Sequence, residues 1–224
     1  MANKTCVTLA ESSPSKLRLR LGQALKRSDY VELRFDFMVP IKIPTALDLV
    51  KNDLRRCICT LRPISEGGKF SGGEKDRISI LKLIAEYNPY LLDVEFDTIR
   101  KNKDLRQYLK RTKTSLLVSW HDFKKTPDEN LLRIKLRQMS KFSKNVKIVT
   151  SVKTIGDSMK VLSLYKNLPK NHKLIAFAMG DSGRMSRILC TQFGSPYTYV
   201  SLGKPVAPGQ FSLDEVKSIF KLKK

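Results

Sequence analysis

The chain has 224 residues, 41% hydrophobic and 29% charged, which allows one sizeable core and excludes a disordered polymer. No apolar run approaches the length of a membrane span, and the opening MANKTCVTLAESS has no apolar centre of the kind an export signal carries, so the expected location is the cytoplasm. Lys and Arg number 43 against 21 Asp and Glu, a formal charge of +22 that points toward a polyanion, yet the basic residues are scattered and no basic tail, RNP-like motif or zinc-finger spacing gathers them.

In chain order, short apolar runs alternate with helical segments. A strand over Thr5–Leu9 precedes a helix over 14–26, and Tyr30–Phe35 precedes 44–53. Cys57–Leu61 leads through a Gly/Ser-rich loop at 65–73 to a helix over 73–86. Then come Tyr90–Phe96 with 99–111, Ser115–Trp120 with 128–142, and Val146–Thr150 with 154–167. Leu174–Met179 with 183–193 and Tyr197–Leu202 with 212–221 complete the series. Eight strand–helix units without a dividing linker predict a single (β/α)8 TIM barrel over residues 1–224. Neither GxGxxG nor GxxxxGK[ST] occurs, so a nucleotide-binding open sheet loses support. The four cysteines include Cys57 and Cys59, two apart on one strand, and show no zinc-like spacing. They read as reduced thiols, and no metal or cofactor is expected.

Strands covered on both faces should be nearly continuous apolar runs, and several here are not. With side chains alternating in period two, Glu32 and Arg34 share one face of their strand, opposite Val31, Leu33 and Phe35. Asp93 and Glu95 share a face of the fourth, Ser119 and His121 of the fifth, and Lys147 opposes Val146 and Ile148 on the sixth. Lys144 lies before that strand and Lys153 beyond it, near the start of the next helix. Buried charges are expensive unless paired or used, and a barrel collects its reactive groups at the C-terminal ends of its strands. A buried lysine is driven toward a pKa of roughly 7–8, where its neutral amine can attack a ketone and form an imine. A histidine titrating near neutrality can move the α proton, and arginines can clamp a carboxylate.

Taken together, these residues resemble type I 3-dehydroquinate dehydratases, from about Thr5 to Phe211. The pieces run in that family's order: Val31-Glu32-Leu33-Arg34, Arg62-Pro63-Ile64-Ser65-Glu66-Gly67-Gly68, Ser119-Trp120-His121-Asp122-Phe123, Val146-Lys147-Ile148, Ser186-Arg187 before Phe193-Gly194-Ser195, and Ala207-Pro208-Gly209-Gln210. The resemblance implies an imine between Lys147 and the C3 ketone of 3-dehydroquinate, with His121 as general base and acid assisted by Glu66. It implies that Thr8, Glu32, Arg34, Arg62, Arg187 and Gln210 bind the substrate, that water leaves by syn elimination, and that the enzyme is a homodimer. One departure stands in the loop expected to close over the substrate, Leu202–Gln210: Val206 occupies a position where the family commonly has serine. Another imine-forming barrel, such as a class I aldolase, would share the lysine but not the Glu32/Arg34, EGG and APGQ pieces. A basic nucleic-acid-binding protein on an inactive barrel is the alternative of a different class.

Overall fold

The computed structural model describes residues 4–222; the ends of the expected domain, 1–3 and 223–224, lie outside the described residues. The strands are β1 (Thr5–Leu9), β2 (Tyr30–Arg34), β3 (Cys57–Thr60), β4 (Leu91–Glu95), β5 (Leu116–Asp122), β6 (Asn145–Ser151), β7 (Lys173–Met179) and β8 (Thr198–Ser201). The helices are α1 (Pro14–Leu25), α2 (Ile43–Val50), α3 (Glu74–Glu86), α4 (Phe96–Lys101), α5 (Lys103–Leu109), α6 (Glu129–Ser140), α7 (Ile155–Leu162), α8 (Ser186–Gln192) and α9 (Leu213–Lys221). Every strand is therefore followed by a helix before the next strand, as the sequence pattern predicts.

The chain divides into two units, residues 8–117 and the remainder on either side. In the first, β2, β3 and β4 lie side by side and parallel, with Glu32 level with Ile58 and Arg34 level with Thr60. Helix α1 buries Leu17, Leu21 and Ala24, one stripe at three- and four-residue spacing, and packs against α2. In the second unit β6 and β7 pair in parallel over seven residues, with Lys147 level with Ile175. Helix α6 packs against β6 and buries Leu132, Leu136 and Met139.

Two helix starts are fixed by side-chain caps. Thr154 caps α7 and Ser212 caps α9, each in a reciprocal box with the acid three residues on, Asp157 and Glu215. The single helix expected over 99–111 is in fact two. Phe96 already starts α4, and Asn102 interrupts the run in an extended conformation, its side chain accepting the Leu105 amide at 2.7 Å to start α5. The expected helices over 44–53 and 154–167 end early and tighten into 3-10 turns at Lys51–Arg56 and Ser163–Tyr165. The four cysteines are buried, and none of them forms a disulfide.

Candidate active site

The strands are buried on both faces, the charged residues together with the apolar ones beside them, such as Val31, Leu33 and Val94. In the unit of residues 8–117, Glu32 is 4% exposed, Asp93 0% and Glu95 1%, so charge stands where a core would be expected. Each is paired. Thr8 Oγ1 donates to Glu32 Oε2 and Thr60 Oγ1 to Glu32 Oε1, both at 3.1 Å. Arg34 forks its Nε and Nη2 onto Asp36 at 2.8 and 2.7 Å, and its guanidinium lies 5.1 Å from the Phe37 ring centre. Asp36 also accepts the Lys69 amide at 3.0 Å, which ties the loop after β3 to the end of β2.

Arg62 leaves β3 buried, donating to Asp93 at 2.6 Å and Glu95 at 2.8 Å. Burial pulls its pKa down, but Asp93, Glu95, Glu66 and Glu32 outweigh it and the net shift is upward. Glu66 lies 3.8 Å from Arg62. Burial pushes its carboxyl up to about 8; Arg62 opposes that shift, while Glu95, Asp93 and Asp97 add to it. A carboxyl so placed holds its proton at neutrality and can give or take one near pH 8. The loop that carries it closes tightly: Gly68 donates to the Pro63 carbonyl at 2.9 Å, and a Cβ on Gly68 would lie 2.0 Å from the Arg62 carbonyl oxygen.

In the second unit Lys147 is 7% exposed on β6, its ammonium 4.3 Å from the Tyr199 ring centre. Its rivals Lys144 and Lys153 are both exposed. His121 is half-buried near the end of β5, its ring stacked on Phe123 with centres 6.0 Å apart. Arg187, near the start of α8, is 2% exposed and has no carboxylate partner among the described residues. It donates to the Pro208 carbonyl at 3.1 Å and packs 4.3 Å from the Phe177 ring centre, while its Nε has no acceptor. Burial lowers its pKa to about 10. A buried cation with an idle N–H is prepared for an anion.

The loop after β8 is fastened at three points. Gln210 Oε1 accepts the Val206 amide at 2.9 Å, Arg187 holds Pro208, and Gly209, at φ +69°, leaves only 3.0 Å between a would-be Cβ and the Gly180 carbonyl oxygen. The Val206 amide is thus spent on the loop's own Gln210.

Thr8, Glu32, Arg62 and Glu66 are linked within the first unit, and Arg187 is linked to the loop of Gln210 within the second. Sequence reasoning missed Asp36, although Arg34-x-Asp36 was visible, and it left the acids Asp93 and Glu95 without a role. Lys147's aromatic partner Tyr199 lies too far along the chain for any spacing rule to find.

Residues 5–224 match the family model described as type I 3-dehydroquinase. The 3-dehydroquinate dehydratase of Dehalococcoides mccartyi is 35% identical over 210 residues, 91% of each chain. The crystal structure of the 3-dehydroquinate dehydratase from Geobacillus kaustophilus superposes with a TM-score of 0.89 over 99% of this chain and 91% of its own, at 23% identity. That from Aquifex aeolicus gives 0.80 over 98% of both chains at 27% identity. The fold is the (β/α)8 barrel expected from the alternation of strands and helices.

Proposed function

The chain belongs to the type I 3-dehydroquinase family, and from that premise we propose how its own residues do the chemistry. The activity is the dehydration of 3-dehydroquinate to 3-dehydroshikimate, a hydro-lyase reaction of the shikimate pathway. Lys147 adds its neutral amine to the C3 ketone and loses water, giving an imine whose protonated form accepts electrons. His121 removes the proton alpha to the former carbonyl and delivers one to the leaving hydroxyl on the same face, so water departs syn. Glu66 assists that proton traffic. Water then hydrolyses the imine and frees Lys147.

Substrate is held by Thr8, Glu32, Arg34, Arg62 and Gln210, and its carboxylate by Arg187. No cofactor takes part in this scheme. The whole chain is read as one catalytic domain, working as a cytoplasmic homodimer. Sedimentation tests the assembly, and a monomer at micromolar concentration would count against it. Among the described residues no helix is long and apolar enough to cross a membrane.

The observation that carries the scheme is the burial of Lys147, a lysine held at 7% exposure in mid-strand while its neighbours Lys144 and Lys153 stand in solvent. The test is borohydride trapping with 3-dehydroquinate, read by intact mass and peptide mapping. The reduced adduct is expected on Lys147, and Lys147→Ala should lose both adduct and turnover. An adduct retained at another lysine overturns the assignment.

A further inference from the structure

One fully buried charge is unused by this scheme. Arg77, near the start of α3, is 1% exposed. A guanidinium has five N–H groups, and here each has an acceptor. Nε donates to Glu74 Oε2 at 2.8 Å, Nη2 to Glu74 Oε1 at 2.9 Å and to Thr98 Oγ1, and Nη1 to Glu95 Oε2 and to the Leu61 carbonyl at 3.4 Å. Two of these lead to Arg62. With its other oxygen, Oε1, Glu95 accepts from Arg62 Nη1 at 2.8 Å, and Leu61 is the residue before Arg62 in the chain.

Fold stability alone does not call for such a group, because a buried ion pair is often no more stabilising than apolar side chains of the same volume. What the network does supply is direction. Glu95 is shared between two guanidiniums, so it can neither rotate nor approach Glu66 without breaking a charge-assisted bond. Arg62, gripped by Asp93 and by this fixed Glu95, has its fork held in one orientation.

We propose that Arg77 is a positioning residue for the dehydration, holding Glu95 and the Leu61 carbonyl so that Arg62 keeps the orientation in which it meets the substrate. The inference rests on the reading of Arg62 as a substrate-binding residue and of Glu66 as its acidic neighbour. The charged groups around this pair are Asp93 and Glu95 on β4, Asp97 on α4, Glu32 and Arg34 on β2, and Glu74 and Arg77 on α3. Removing the Arg77 charge leaves Glu95 with one cation fewer. Its like-charge push on Glu66 then grows, and the titration of Glu66 moves up.

The experiment compares Arg77→Met, Arg77→Lys, Arg62→Lys and Glu66→Gln by steady-state kinetics with 3-dehydroquinate from pH 5 to 10, after circular dichroism has established folding. Arg77→Met should raise KM by about tenfold with kcat at its optimum changed by less than about threefold, the signature of lost binding rather than lost chemistry. Partial unfolding would instead lower kcat and leave KM alone. The pH-dependent step that Glu66→Gln abolishes should shift upward in Arg77→Met. In Arg77→Lys, which keeps the charge but loses the fork, that step should stay in place while KM recovers part of the way. If Arg77→Met does not fold, Arg77→Lys decides alone: a raised KM supports the inference and an unchanged KM overturns it. A folded Arg77→Met with the parent KM and pH profile overturns it as well, provided Arg62→Lys raises KM. An Arg62→Lys enzyme with unchanged KM removes the site reading, and the inference with it.

Discussion

Arg187 carries opposite consequences for binding and for stability. Its folded pKa of about 10 lies below the ordinary arginine value, so the fold disfavours the charged form. The unfolded chain binds that proton more tightly, and stability rises only as pH climbs past about 10 toward the ordinary arginine range; at neutrality the cost is fully present. Arg187→Met should therefore raise Tm by about 2–4 °C, the shift that about 1 kcal/mol gives in a domain of this size, while KM rises strongly through loss of the carboxylate clamp. A lowered Tm in a folded Arg187→Met protein would contradict the account of a strained, waiting cation. Glu66 has the reverse sign for an acid. Its folded pKa, about 8, lies above the ordinary 4.5, so the native state holds the proton longer and stability falls as pH rises from about 4.5 to about 8. Glu66→Gln should flatten that decline, as read by urea midpoints across the range. His121→Ala should cut kcat by about 10²–10⁴-fold, as losing a general acid–base group does, yet still permit some imine trapping, since Lys147 remains.

At the scale of elements, the strands were legible because the alternation was broken by charge. Glu32, Asp93, Ser119 and Lys147 each interrupt an apolar run, and the structure buries all four. The break between α4 and α5 was not legible, since Asn102 inside RKNKDLRQ reads equally well as a solvent-facing helical residue until its side chain is seen capping Leu105. Arg77 was hidden for a similar reason: an arginine in the first turns of a helix is ordinarily exposed, and only the acids of other elements explain its burial. The loops carry most of the site and obey local geometry. Gly68 faces the Arg62 carbonyl so closely that even a methyl group must displace it. Gly68→Ala should thus cost about 1–3 kcal/mol of stability and raise KM by moving Arg62, both measurable on the folded variant. In the loop after β8, Gln210 ties down the Val206 amide, so Gln210→Ala should weaken substrate binding more than Val206→Ala does. Val206→Ser, by restoring a hydroxyl, should tighten it by about 0.5–1.5 kcal/mol if one net hydrogen bond forms.

At the scale of the whole molecule the unexplained quantity is the charge of +22. The barrel was foreseeable from the regular exchange of short apolar runs and helices, and that pattern owes nothing to the net charge. Several of the basic side chains are spent on local partners. Arg56 donates to the carbonyls of Leu25, Ser28 and Asp29, Arg106 to those of Ile99 and Arg100, and Arg133 to Ser163 and Lys166. Such residues cap helix ends and loops, where a cation also complements the negative C-terminal end of the helix dipole. These three arginines take up a small part of the surplus, and the whole lends the surface a positive field. For a substrate with a single carboxylate the field should raise kcat/KM only modestly, and the gain should fade as salt screens exposed charges beyond about 10 Å at 0.1 M. Nucleic acid should bind weakly, without sequence preference and with the steep salt dependence of phosphate contacts alone. Fluorescence anisotropy with random and mixed-sequence duplexes, run from 0.05 to about 0.3 M salt, separates the cases. A tight, sequence-selective complex that survives physiological salt would mean that the scattered lysines form a recognition surface, and that dehydration is not the only thing selection has shaped on this barrel.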